Sequence, residues 1–511
     1  MRPVAGSAIP ARALLAHPVD TAESIATERE PMDTEVLIVG AGPTGMTLAN
    51  ELWVAGVSAV LVDKLDERSG LSKAGGVQSR ALEAFDQRGL LEPLLATGNY
   101  QTSSAHFAGI PLPLTRIRHR RPWRSIPQVV IEGFLERHLA AHDIHVRRGH
   151  ELVDLIQDED GVRATFAHGG AISSRYVVAA DGGRSTVRGL LRAEFPGRPG
   201  TSTVIAADVR LDGDIPMLTR EWSEDGYSAQ VFPLGSDPRG GPLYRVALAG
   251  PDRSTPRDVP VTEGEIRDGL RSVFGARVRL LELCYARRIT NAARQAARYR
   301  HGRVFLAGDA AHVHLPIGAQ GMNTGIGDAV NLGWKLAAAV REWAPEHLLD
   351  TYHDERHPVA AAVLRNVQAQ SLLMDVAGAR DPDVTAARDL FASLTRLPEV
   401  QYHLDDMLSG MGIRYRMPGS DHRPLVGLPA SDVELGSTRL NELLRSGRGV
   451  LLDPSDTLAE FAAAWGDRVD RAGQGADVEP MLIRPDGYVC WTGRDSEGLV
   501  AALGHWFGEI R

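Results

Sequence analysis

Apolar residues in this chain fall into short runs separated by turn-forming residues. Val36-Leu37-Ile38-Val39 is an unbroken apolar run, the pattern of a strand buried on both faces in a parallel sheet. Gly40-Ala41-Gly42-Pro43-Thr44-Gly45 follows directly. The stretch 46–54 then predicts a helix, and 58–62 a second strand ending at Asp63. Strands and helices alternate to about residue 181, with a helix over 131–141, a strand over 144–147 and a meander through 162–166 and 176–180. Residues 204–250 follow a different pattern. There, 204–211, 227–233 and 243–248 predict strands with no helix between them, hence an antiparallel sheet. A strand over 303–307 and a helical region over 326–408 come next. The last hundred residues return to an α/β pattern at 449–452, 458–464, 469–470 and 481–491.

The glycines of the first turn have separate physical roles. Gly40 permits the tight turn, Gly42 lets the backbone approach a pyrophosphate, and Gly45 lets the helix pack on the sheet. The helix start would hold the phosphates. An acid about 20 positions further on, here Asp63, suits a ribose hydroxyl. Strand, fingerprint, helix, strand and acid in this order predict a Rossmann-like dinucleotide site.

A second Gly-rich stretch reads Gly308-Asp309-Ala310-Ala311-His312, then Pro316, then Gly318-Ala319-Gln320-Gly321-Met322-Asn323. Asp309 stands at the end of the 303–307 strand, as a ligand carboxylate or as a helix N-cap. Gly318, Gly321 and Gly325 open a helix that runs on through Asp328 to Lys335. Its N-terminus would aim N–H groups at a developing anion, either the charge of a reduced flavin ring or a simple bound anion.

Composition narrows these readings. The chain has 511 residues, a formal charge of −9 and 43% hydrophobic residues. This gives room for two to four domains and no basic footprint for nucleic acid. Two cysteines, Cys284 and Cys490, exclude a disulfide framework. His312 and His314, two positions apart without a Cys or carboxylate cluster, are a poor zinc pattern, so no metal is expected. No run approaches the roughly 20 apolar residues needed to span a bilayer. Residues 1–32 lack a core pattern and are expected to be a disordered extension, with Met32 an alternative start. A cytoplasmic location is expected.

GAGPTG, the stretch Ala180-Asp181-Gly182-Gly183-Arg184-Ser185-Thr186-Val187-Arg188 and GDAAH…P…GAQGMN together resemble the three motifs of the group A flavin monooxygenases, the para-hydroxybenzoate hydroxylase family. The resemblance covers residues 33–511 and is closest to aromatic polyketide hydroxylases of the angucycline and anthracycline type. It implies an α/β fold: a Rossmann-like FAD-binding domain over 33–203 and 289–409, an inserted antiparallel-sheet substrate domain over 204–288, and a thioredoxin-like C-terminal domain over 410–511. That last domain has no Cys-x-x-Cys and cannot run dithiol chemistry.

By the same resemblance, FAD is bound by Gly40, Gly42, Thr44, Gly45, Asp63, Lys64, Arg80, Gln128, Asp181, Asp309, Gly318, Gln320, Gly321, Met322 and Asn323. Pro316 and Arg80 would stand beside the flavin as catalytic residues. Plainer readings are a strand stop for Pro316, a surface ion pair for Arg80, an exposed strand-end cation for Lys64 and a turn residue for Asp181. The run Arg116, Arg118, His119, Arg120, Arg121, Arg124 is a solvated loop or an anion entry path. Trp222, Tyr227, Phe232, Pro233 and Leu234 either wall an aromatic pocket or fill a core.

The implied activity is hydroxylation of a polycyclic aromatic substrate with O₂ and transiently bound NADPH, through a flavin 4a-hydroperoxide. NADH stays open as the reductant. Baeyer–Villiger insertion, oxidation of a rifamycin-type antibiotic, and an escort protein of related fold are the alternatives. The C-terminal domain is expected to buttress the FAD domain or to form a homodimer contact.

Overall fold

The apolar runs form strands where their pattern places them. In the computed structural model, which describes residues 32–70, 72–98, 100, 106–112, 122–236, 241–374 and 381–510, Thr34–Val39 pairs in parallel with both Ala59–Val62 and Ala171–Ala179. Val304–Leu306 lies parallel to Ala171–Ala179 on its other side. The strand order is Arg300–His301, Val304–Leu306, Ala171–Ala179, Thr34–Val39, Ala59–Val62, Val146–Arg147. Leu152–Gln157 and Val162–Phe166 extend this sheet as an antiparallel meander. Val36, Leu37 and Ile38 are fully buried, as a strand covered on both faces must be. The register sets Val39 opposite both Val62 and Ala179, and Leu306 beside Ala179. The carboxyl ends of four strands therefore emerge together at Gly40, Asp63, Ala180 and Ala307. Ligands of open parallel sheets sit outside such ends.

Five strands form a second, antiparallel sheet in the order Arg220–Trp222, Ser228–Ser236, Pro242–Ala249, Thr203–Gly213, Val278–Thr290. Alternation splits its side chains between two faces. Ile205, Ala207, Val209, Val231, Val246 and Leu248 pack under the Glu263–Phe274 helix. The register puts Asp208, Phe232, Arg245, Tyr285 and their neighbours on the opposite face. That face meets the parallel-sheet unit. Arg245 pairs with Asp208 at 2.7 Å and donates to the Ser72 carbonyl, and Leu234 lies against Gly75.

The helical region resolves into Gln320–Val340, Thr351–Leu373, Pro382–Leu394 and Pro398–Ser409. Its first helix starts at Gln320, within the Gly318–Gly325 stretch expected to open it. A 3-10 turn at Ile317–Ala319 leads in, with Gly318 at φ +70° and Ala319 at φ +54°. Near the C-terminus, Val469–Ala472, Gly449–Leu452, Met481–Ile483 and Val489–Thr492 lie side by side in that order. The first pair is parallel and the others antiparallel, which is the thioredoxin-like arrangement. Trp465, Trp491, Trp506 and Cys490 are buried in its core. The same core takes in Trp334, Ala338 and Leu348 from the FAD side.

Among the described residues no helix is long and apolar enough to cross a membrane. The extension 1–31 and Arg116, Arg118, His119, Arg120 and Arg121 lie outside the described residues. Arg124, at the end of that basic run, pairs its backbone with Val77.

Candidate active site

The first glycine turn follows from steric necessity at two positions. Gly40 has φ +108°, and a Cβ there would sit 2.3 Å from the Ala180 carbonyl oxygen. A Cβ on Gly45 would sit 2.0 Å from the Gly40 carbonyl oxygen. A Cβ on Gly42 would meet nothing within 4 Å. The turn is thus closed against the protein on two sides and open at Gly42, at the N-terminus of the Pro43–Val54 helix. This is the cradle a pyrophosphate needs.

Thr44 joins this turn to the second motif. A Cβ on Gly308 would lie 2.7 Å from Thr44 Oγ1, and one on Gly325 only 2.4 Å from it. The three backbone segments approach this closely because two of them are glycine. Asp309 then projects from the strand end. It is exposed, although Gly308 and Ala310 on either side are buried. The Gln320 helix presents its first-turn N–H groups, which no helix satisfies internally, close to Pro316. Leu315 and Ile317 flank that proline and belong to an apolar cluster with Phe107, Trp123, Val367 and Leu408. Pro316 itself is exposed at the edge of this cluster.

The remaining expected cofactor residues fall into two groups. Asn323 and Gly318 are tied to the 76–78 loop: Gln78 N–H donates to Asn323 Oδ1 at 2.9 Å, Gln78 Nε2 to the Gly318 carbonyl at 3.2 Å, and Asn323 Nδ2 to the Gly76 carbonyl at 3.1 Å. Gly321 and Met322 follow in the same turn, half-buried. Gln128 reaches this segment only indirectly. Its Oε1 accepts from Ala74 N–H and its Nε2 donates to Glu132.

Asp63 holds the first turn itself, accepting from Ala41 N–H and Leu65 N–H, both at 2.9 Å. Lys64 beside it is exposed. Asp181 accepts from the N–H groups of Thr186 and Val187 at 2.7 and 3.2 Å. Burial pushes its carboxyl above the usual range, and those bonds offset this only in part.

Arg80 requires a correction. The expectation placed it beside the flavin as a catalytic residue. Its guanidinium is instead buried against the C-terminal domain, donating to the Asp486 carbonyl and lying over the Tyr488 ring at 5.1 Å. It also faces Glu83 on its own helix at 3.6 Å. The family resemblance had indicated a cation near the site. The direction of its side chain is set by packing that no local pattern records.

The structure adds a set of groups to which the sequence gave no role. Asp328 is fully buried and accepts from Gly308 N–H at 3.0 Å. The same carboxylate meets His312 Nε2 at 2.8 Å and Arg356 Nε at 2.7 Å. Burial raises the Asp328 carboxyl, but Arg356 and His312 outweigh it and hold the group below the usual carboxylate range. Arg356 also donates to Thr324 carbonyl and to Tyr415 Oη. The Gly308-Asp309 turn is therefore anchored from behind by a charged group, and His312 is committed to that anchor.

A second buried cluster lies deeper. Arg484 of the C-terminal domain grips Glu355 in a bidentate pair at 2.6 and 2.9 Å, and Lys335 shares that carboxylate at 2.8 Å. Arg484 and Lys335 outweigh burial and hold Glu355 down to about 2. Burial and the Arg484 charge bring Lys335 down to about 8 against the pull of Glu355.

The open face at Gly42, the exposed Asp309 between buried neighbours and the free helix start at Gln320 lie at one edge of the sheet. An open backbone cradle, a carboxylate and a helix N-terminus are groups whose chemistry fits a dinucleotide cofactor such as FAD.

Comparison with known proteins agrees with this geometry. The FAD binding domain family matches residues 33–367, and the family described as aromatic-ring hydroxylase, C-terminal, matches 423–509. A rifampicin monooxygenase from Streptomyces venezuelae is 40% identical over 93% of this chain and 98% of its own. The solved anhydrotetracycline hydroxylase from Streptomyces rimosus superposes with a TM-score of 0.84 at 39% identity, covering 94% of this chain and all of that one. An aromatic hydroxylase from angucycline biosynthesis gives 0.84 at 37% identity with the same coverage.

Proposed function

Because the chain belongs to the FAD-dependent aromatic-ring hydroxylases, a family of flavin monooxygenases, we propose that it uses NADPH and O₂ to add one oxygen atom to a polycyclic, polyketide-type phenol. The observation that carries this reading is the convergence of Gly42, Asp309 and the Gln320 helix start beside an apolar cluster at Pro316.

Bound FAD supplies the hydride acceptor and the site of oxygen activation. The chain does the rest. Gly42 and the Pro43–Val54 helix start hold the phosphates, Asp309 a sugar hydroxyl, and the N–H groups at Gln320–Asn323 stabilise negative charge on the ring. Phe107, Trp123, Leu315, Val367 and Leu408 form an apolar wall that suits a flat aromatic substrate and excludes water. The polar face of the 203–290 sheet, with Arg245, Tyr285 and Phe232, closes the other side as the substrate domain. The C-terminal domain buttresses the FAD domain, and the enzyme works in the cytoplasm.

A second reading is oxygenation of a finished antibiotic, favoured by the 40% identity to a rifampicin monooxygenase. Aerobic assays with NADPH, using anhydrotetracycline, a tricyclic angucycline-type phenol and rifampicin in parallel, separate the two. Oxygen gain in the polyketide phenols supports the first reading, and gain in rifampicin alone supports the second. Consumption of NADPH with hydrogen peroxide as the sole product in every case contradicts both.

A further inference from the structure

Arg287 stands on the inter-domain face of the five-stranded sheet with its charge uncommitted. Arg245 on the same face pairs with Asp208 at 2.7 Å. Arg288, on the opposite face, pairs with Glu265 at 2.7 Å. Arg287 makes no hydrogen bond or ion pair among the described residues. It is half-buried, and its nitrogens stay open to approach. Burial lowers its pKa, as do the Arg245 and Arg257 charges, while Tyr285 and Asp309 raise it. Asp309, of the proposed cofactor site, is thus among the groups whose charge Arg287 feels.

The register places Gln230, Ala247, Ala206 and Arg287 in one row across four adjacent strands. End to end this row covers three interstrand spacings, roughly 14 Å. The next row on one side is bridged to the 72–76 loop, through Arg245 and the Ser72 carbonyl. The row on the other side carries Val204 and Ile289, which pack on the apolar cluster of Leu315 and Ile317. Between these two contacts the floor is a pair of alanines. Ala247 stays only half-buried although its strand is the middle one of the sheet. The two units therefore touch on either side of this row and leave a slot over it. The 106–109 turn covers the Gln230 end, where a Cβ on Gly109 would lie 3.6 Å from Gln230 Nε2. That end is uncharged, since Gln230 is neutral and burial holds the His106 imidazole below its usual range. The other end carries the Arg287 cation.

A flat system of several fused rings fits such a slot lengthwise. A guanidinium at one end favours an anionic oxygen there, because an opposite charge stabilises the ionised form of a phenol or enol. Arginine keeps its charge at any working pH and presents a planar fork of donors. We propose that Arg287 binds an ionised phenol or enol oxygen of the polycyclic substrate and so sets the orientation of the ring system in the slot. The inference rests on the monooxygenase reading above. The phenol proton passes to solvent on binding, and the ionised ring is the more electron-rich one, which suits oxygen transfer to carbon.

The test compares a tricyclic angucycline-type phenol with its O-methyl ether, which cannot ionise. Dissociation constants are measured by absorbance titration of the FAD-loaded enzyme. Wild type should bind the phenol about ten- to a hundredfold more tightly than the ether, as expected for a bond to a charged group. Arg287→Gln should weaken phenol binding by that factor, leave ether binding unchanged and so abolish the preference. Arg287→Lys keeps the charge without the fork and should fall between the two. The bound phenol, followed by its absorbance, should ionise at a lower pH than the free phenol in wild type and at the free value in Arg287→Gln. Thermal midpoints and FAD content confirm folding.

The same phenol-to-ether ratio in wild type and both variants would overturn the inference. A raised KM for NADPH with unchanged phenol binding would assign the anion to a nucleotide phosphate and also overturn it. A fall in FAD affinity alone would make Arg287 a counter-charge for Asp309 instead. Wild-type protein that binds no FAD, or that oxygenates no phenol, would defeat the underlying reading and the inference with it.

Discussion

At the scale of single residues, the site is built by what glycine omits and by one exposed carboxylate. Asp309 stands exposed between two buried neighbours, and its proposed role is to hold a sugar hydroxyl of FAD. Asp309→Ala should weaken FAD binding by about 1.5–3 kcal/mol for each charge-assisted bond lost. Fluorescence titration of the apoprotein with FAD measures this, and an unchanged affinity would remove Asp309 from the site.

Gly325 makes a sharper case, because a Cβ there would lie 2.4 Å from Thr44 Oγ1 and 3.2 Å from Gly308 Cα. Gly325→Ala should cost about 1–3 kcal/mol by overpacking, read as a lower thermal midpoint and looser FAD. Thr44→Ala in the same chain should recover much of that loss. Failure to recover would mean that Thr44 is not what the new methyl meets.

These residues were legible in the sequence because turn chemistry is local. Gly40, Gly42 and Gly45 stand directly after an apolar run, and at Gly40 and Gly45 a Cβ would strike a backbone carbonyl oxygen. Arg80 was misplaced because a buried guanidinium finds its partners 406 positions away, at Asp486.

At the scale of elements, the same distinction between local and distant signals holds. The strands at 34–39 and 162–166 follow from apolar pattern alone. The 320–340 helix opens within the stretch that Gly318, Gly321 and Gly325 mark, behind left-handed backbone at Gly318 and Ala319. The ion pairs that fasten that helix were not legible at all, since Asp328–Arg356 and Lys335–Glu355 pair 28 and 20 positions apart.

Glu355 gives this scale its prediction. Its folded value of about 2 lies below the usual 4.5. The stability it contributes is therefore complete above pH 4.5 and is lost as pH falls from 4.5 toward 2. Glu355→Gln leaves Arg484 and Lys335 short of a counter-charge in the interior, which should cost about 3–5 kcal/mol at neutral pH. The variant should also lose part of the acid dependence. Thermal midpoints recorded across pH 3–7 test both, and parallel curves for the two proteins would show that Glu355 carries no such linkage.

At the scale of the whole molecule, the C-terminal domain is tied to the FAD side by a shared core and by buried charges. Trp334 packs with Trp506 and Phe507 in one apolar cluster. Arg88 binds Glu51 on one side and the carbonyls of Leu444 and Pro485 on the other. Burial pushes the Cys490 thiol up, away from reactivity. Cys490→Ala should keep full turnover and lose about 1–2 kcal/mol of stability. Lost turnover at an unchanged thermal midpoint would give this domain a chemical role that its structure does not explain.

The central chemistry is oxygen transfer from dioxygen to an aromatic ring. The most direct measurement is turnover of a tetracyclic phenol with NADPH under isotopically labelled dioxygen, followed by mass spectrometry of the product. One labelled oxygen atom in the product for each molecule formed is the predicted result. Product oxygen drawn from water, or a product with no added oxygen, would contradict it.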